Sequence, residues 1–254
     1  MLVYANFPVA LAAIPLAAIA IERLATAWAH ALGLVAIALC AAVFWPGVVE
    51  QRDLDARPVN AVAAVGVALA LGLTLAAARR CGLGLSARLR GDGVRLLAAA
   101  LLLFLAVPWI AADLGFHFDG VPVLGSIWQT GELRGPPGVP PLVPAVHLGH
   151  HHGLDGVLLA LTALALSRMR LGRAAAGVSL YLALMLAYGV GNVANDFWLE
   201  QVVKRGWIGW EIPSVLNPRL SWAWLAIVVS AALLWLVALR PSRNPPRSLS
   251  RSLR

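Results

Sequence analysis

The chain has 254 residues, 60% of them hydrophobic and 13% charged, with a mean hydropathy of +0.79 and a net charge of +8. A soluble globular domain carries about a quarter charged residues, so this composition excludes one and points to an all-α, polytopic membrane helix bundle. Two cysteines, Cys40 in an apolar run and Cys81 in a basic loop, exclude a disulfide framework and a Cys-x-x-Cys metal motif.

Seven apolar segments follow in chain order, near or above the length that crosses a bilayer. They cover roughly 3–21, 26–46, 59–78, 95–112, 152–167, 175–195 and 220–239. The first lacks the basic start of a signal peptide and reads as a retained helix, although Pro8 and Pro15 interrupt it. Only IERL (21–24) separates it from the second, which predicts a tight helical hairpin. Residues 1–239 form one membrane domain on this reading. Residues 240–254, RPSRNPPRSLSRSLR, form a basic disordered tail.

The charges sort into two groups. Arg23, Arg79, Arg80, Arg88, Arg90, Arg95, Arg168, Arg170, Arg173 and the five arginines from Arg240 onward fall on one side, with Glu22 and Asp92 as the acids. The other side holds six basic and ten acidic residues, a balance of −4 against +12, which together give the net +8. Lys and Arg accumulate in cytoplasmic loops. The tail is therefore expected in the cytoplasm and, with seven spans, the N-terminus outside. The basic excess reads as a topology signal, and no nucleic-acid partner is implied. A single lysine, Lys204, amid Ala, Arg, Gly and Leu suggests a high-GC bacterial genome, hence a multi-pass protein of the bacterial inner membrane.

Eight of the ten tryptophans, including Trp198, Trp207, Trp210 and Trp222, fall toward the outer side. That excess predicts a thick outer layer above the lipid bilayer, extended by the long loop 113–151 with Pro136, Pro137, Pro140, Pro141 and Pro144. This layer is a candidate docking surface for a membrane-protein partner.

The chemistry-bearing residues gather on the same side. HLGHHHGLDG (147–156) holds four of the six histidines and Asp155. On a helix His147, His150 and His151 share a face, while His152 points elsewhere. Asp155 lies one turn beyond His151, and Gly149, Gly153 and Gly156 are small enough for a neighbouring helix to approach closely. Asp113 and His117 end the fourth segment four residues apart. Asn192, Asp196 and Glu200 make a stripe at the end of the sixth, with Asn195 beside it. Imidazoles and carboxylates on adjacent turns suit a divalent transition metal such as Zn, Cu or Fe. The expected ligands are thus His147, His150, His151, His152, Asp155, His117 and Asp113, with Asp196 or Glu200 as a general base.

Short strings resemble known families. HLGHH fits the HxxHH box of membrane di-iron desaturases, which carry three boxes facing the cytoplasm; here one box faces outward. Asp113 and His117 look like part of the copper membrane monooxygenase site, but the next histidine is His147. GLDGVLLALTAL resembles the GxDHLL segment of nickel/cobalt-type permeases, with Gly156 where the histidine belongs. Each likeness covers a dozen residues or fewer, and no family follows. Three functions compete: a membrane metalloenzyme (a hydrolase or a Cu/Fe oxidoreductase), a non-catalytic subunit or assembly factor, and a metal or small-solute permease. A permease needs polar groups deep in the helices. The spans carry little beyond Thr74, Cys40, Ser179 and Tyr188 there, which favours the first two.

Overall fold

The computed structural model describes residues 6–45, 58–82, 91–113, 129–134, 143–146, 152–169, 172–216 and 219–241. Seven α-helices run through them: α1 (Asn6–Leu24), α2 (Ala27–Cys40), α3 (Asn60–Cys81), α4 (Asp92–Asp113), α5 (His152–Leu166), α6 (Ala175–Phe197) and α7 (Trp222–Leu234). A 3-10 turn, Ala41–Phe44, extends α2, and π-helical turns extend α6 (Trp198–Val203) and α7 (Trp235–Leu239). An antiparallel ladder pairs β1 (Gln129–Arg134) with β2 (Val143–Val146), Gln129 opposite Val146 and Arg134 opposite Val143. Five helices are long and apolar enough to cross a membrane: Phe7–Leu24, Ala27–Phe44, Asn60–Cys81, Ala175–Val203 and Trp222–Leu239. The chain thus has several membrane-span-like helices. In addition, α4 is uncharged from Leu96 to Ala112, and α5 is apolar but shorter, at 15 residues.

The interior is built from small residues. Ala10, Ala17, Ala29, Ala36, Ala63, Ala160 and Ala183 are almost fully buried, while Leu34, Leu71, Leu97, Leu233 and Val237 face outward. This inverts the soluble pattern for a physical reason. Lipid tails are as apolar as leucine, so helices associate through close packing of small side chains. The central member is α1, packed on α2, α3, α5 and α6.

One end of the bundle is tied together by charge. Asp92, in the first turn of α4, pairs with Arg168 beyond α5 at 3.0 Å and with Arg95 at 3.6 Å. Glu22 of α1 accepts from the backbone N–H groups of Gly172 and Ala174, the residues that lead into α6. Arg23 donates to the Gly82 carbonyl after α3. These ties correct one expectation: IERL is not the connector. The helix runs on through Leu24, because Glu22 and Arg23 have partners there, and the turn is Ala25 and Thr26. Ala25 takes a left-handed φ of 46°, a role usually left to glycine.

Pro15 sits inside α1, fully buried. Proline has no N–H, so the carbonyl four residues back, Leu11, loses its helical donor. Tyr181 of α6 supplies the replacement: its hydroxyl donates to Leu11 O at 3.0 Å. A buried carbonyl left without a donor costs about 1–3 kcal/mol, so this bond fixes the register of α6 against α1. Tyr181→Phe is therefore expected to lower stability by about 1–3 kcal/mol in denaturant unfolding of the micelle-solubilised protein. Adding Pro15→Ala, which restores the N–H, should recover most of that loss.

Candidate functional site

The site is built on the crossing of α5 and α6. Their backbones approach at two glycines. A Cβ at Gly156 would lie 2.5 Å from Gly189 O and 2.9 Å from Asn192 Cβ, and one at Gly189 would lie 2.5 Å from Gly156 O. Ala160 continues this small face on α5. Only glycine permits such an approach, and it brings the polar ends of both helices together.

Four side chains of α6 and its π-helical turn point inward at this end. Asn192 is 1% exposed, Asp196 7%, Glu200 9% and Gln201 4%. The first three keep the spacing of four seen in the sequence. Asn192 Nδ2 donates to the Tyr188 carbonyl at 2.9 Å and its side chain also bonds that of Tyr188. Tyr188 donates to Leu216 O at 3.3 Å and stacks on Trp224, with ring centroids 5.4 Å apart. Lys204 Nζ lies 2.8 Å from Glu200 Oε1, and Arg205 donates to Gln201 Oε1 at 2.8 Å. The π-helical turn matters here because its wider winding appears often at functional sites, and it carries Glu200 and Gln201.

Asp196 is the centre. The Gly153 N–H at the start of α5 donates to its carboxylate. Glu200 and Lys204 lie within electrostatic range. Its Oδ2 is buried with no hydrogen-bond partner among the described residues. Asp155, in the first turn of α5, is buried on the same side, close enough to act electrostatically on Tyr188. A carboxylate in a first helical turn is favoured by the exposed N–H groups. His152 opens α5, half-buried.

A loop folds back over this end. Asn195 Nδ2 donates to the carbonyls of Ile212 and Pro213 at 3.2 and 3.5 Å, and Trp198 Nε1 donates to Trp210 O at 2.9 Å. Trp210 meets Trp198 edge-on and stacks on Trp222 at 5.6 Å. These contacts hold residues 210–213 against α6.

Of the expected site residues, Asp155, Asp196, Glu200 and His152 come to the α5–α6 mouth. Asp113 is the last residue of α4. His117, His147, His150 and His151 lie outside the described residues. Among the described residues no group of three or more His, Cys, Asp or Glu side chains is arranged to hold a metal ion. Tyr188, Gly189 and Gln201 are the participants that the sequence reading did not assign to the site. Their signal was a phenol and a glycine one turn before Asn192, on the stripe that carries the acids, and an amide next to Glu200.

No protein-family model, curated protein or solved structure matches the chain. The short likenesses to desaturases, copper monooxygenases and permeases therefore rest on their strings alone.

The crossing can be tested by adding one methyl group. Gly156→Ala forces a Cβ against the backbone of α6 and is expected to cost about 1–3 kcal/mol of stability. Gly72→Ala, where a Cβ would meet nothing within 4 Å, should cost nothing in the same unfolding assay.

Proposed function

We propose that this is a multi-pass protein of the bacterial inner membrane, with its C-terminus in the cytoplasm. In this reading the α5–α6 mouth faces outward and, together with the histidine run before α5, holds a divalent transition metal. One observation carries the reading: Asp196 is buried, has an oxygen without a partner among the described residues, and is anchored to the Gly153 N–H. A buried polar atom left without a partner calls for an explanation, and an ion is one. Asp155, Asp196 and His152 are the described candidates at this mouth, and His147, His150, His151, His117 and Asp113 are the further ligands of this reading.

Such a site supports a membrane metalloenzyme. Imidazole and carboxylate ligands suit Zn, Cu or Fe. With zinc, a bound water would be activated toward hydroxide, and Glu200, held by Lys204, would serve as its general base. A non-catalytic subunit is the second reading, favoured by the outer aromatic layer, in which Trp207 is 69% exposed and Trp210 and Ile208 are exposed beside it. A permease draws least support, since the side chains deep in the helices are already engaged: Thr74 Oγ1 donates to Ala70 O at 2.7 Å and Ser179 Oγ to Ala176 O at 3.0 Å.

Metal analysis of the purified protein decides between the first two. About one equivalent of Zn, Cu or Fe is expected, falling at least about tenfold in Asp196→Asn and in the His150→Ala/His151→Ala double variant. A wild-type protein with no metal above the detergent blank overturns the metal reading and favours the subunit.

Orientation has its own test in the native thiols. Cys81 is exposed after Arg79 and Arg80, whereas Cys40 is buried. A membrane-impermeant maleimide should leave intact spheroplasts unlabelled and modify Cys81 once they are permeabilised. Labelling of intact cells would reverse the proposed topology.

A further inference from the structure

A second feature lies on the opposite flank of α6. Between α4 and α7 a lateral groove of about 990 Å³ runs along the bundle, floored by α6 residues such as Val190 and walled by Leu101 of α4 and by Ile227 and Leu234 of α7. It reaches from Gly91 and Arg95 at one end to Trp222 at the other. The walls are apolar over nearly their whole length, with Ser230 midway.

The length suits a lipid. Trp222–Leu239 contains 18 residues, about 27 Å of helix, longer than the roughly 15 Å of hydrocarbon in one leaflet, so acyl chains fit along the groove.

Charge restricts the occupant. Arg95 lines the end of the groove, and Arg240 directly follows Leu239, which also lines it. Asp92 is shared between Arg95 and Arg168. Arg95 also donates from Nε to Ser167 Oγ at 3.0 Å, and the Arg240 guanidinium lies over the Trp235 ring, so two arginines border this end of the groove. Arginine is well matched to phosphate by its planar donor fork, and anionic lipid headgroups are drawn to such clusters. Apolar contact alone cannot select an occupant here, because bulk lipid offers the same contact. The headgroup end is what can.

We propose that the α4–α7 groove binds one anionic phospholipid, its acyl chains along Leu101, Val190 and Ile227 and its phosphate at Arg95. The inference is independent of the metal site.

The full chain, reconstituted in vesicles of equal phosphatidylglycerol and phosphatidylcholine and then re-extracted, can be examined by native mass spectrometry. The expected result is a retained phosphatidylglycerol that wild type and Arg95→Lys both keep. Arg95→Gln should lose it about fivefold, which is about 1 kcal/mol at 1.4 kcal/mol per tenfold. Ala226→Trp, at an exposed position on the groove wall, should displace retained lipid of either kind. Size-exclusion profiles matching wild type establish that the variants fold. Retention of both lipids in the bulk ratio, an unchanged Arg95→Gln, or a dimer that occupies the groove in place of lipid would overturn the proposal.

Discussion

In hydrocarbon no water pairs with backbone or side-chain polar groups, so the chain must satisfy them itself. Much of this bundle follows from that constraint. Pro15 removes a donor from α1, and Tyr181 of α6 replaces it at Leu11 O. Trp235 Nε1 donates to Ser179 Oγ at 3.0 Å, joining α7 to α6, and Ser221 Oγ accepts from the Trp224 N–H to begin α7. Glu22 caps the approach to α6. These helix contacts carry a polar obligation as well as a packing one. Asp196 differs from its neighbours: its Oδ2 has no partner among the described residues, whereas Glu200, Gln201 and Asn192 all have named ones.

The same small-residue packing that builds the interior also makes the site. Gly156 and Gly189 let two helices approach to backbone contact, and a polar group placed just beyond such a crossing is buried without a large side chain to cover it. The aromatic clips of Trp198, Trp210 and Trp222 pin the following loop to the same end of α6. A close helix crossing and a pinned loop make this end rigid, which is the condition for any ligand set to be preorganised.

The parts legible in the sequence were those that depend on one helix alone. Apolar runs show as long helices at α1, α2, α3, α6 and α7, and the spacing of Asn192, Asp196 and Glu200 already placed them on one side of α6. Gly156 was readable as a point of close approach, though not its partner Gly189. Relations between helices were not legible. Nothing in the residues around Pro15 says that a tyrosine some 170 positions later will supply the missing donor. The run on of α1 through Leu24 depends on Gly82, Gly172 and Ala174, again far along the chain. The π-helical turn at Trp198–Val203 escaped because hydrophobic periodicity over six residues does not distinguish it from an α-helix. The histidines that made the most conspicuous string lie outside the described residues, so it is their neighbours, Gly153 and Asp196, that tie the string to the fold.

The length of α6 has a mechanical implication for the bilayer. With its π-helical turn it runs for 29 residues, about 43 Å, whereas the hydrocarbon core is about 30 Å thick. A span that long is accommodated by tilting or by reaching about 13 Å beyond the hydrocarbon. Glu200 and Gln201 ride on the last turn of that excess length, so the tilt of one helix sets how deep the polar end of the bundle sits.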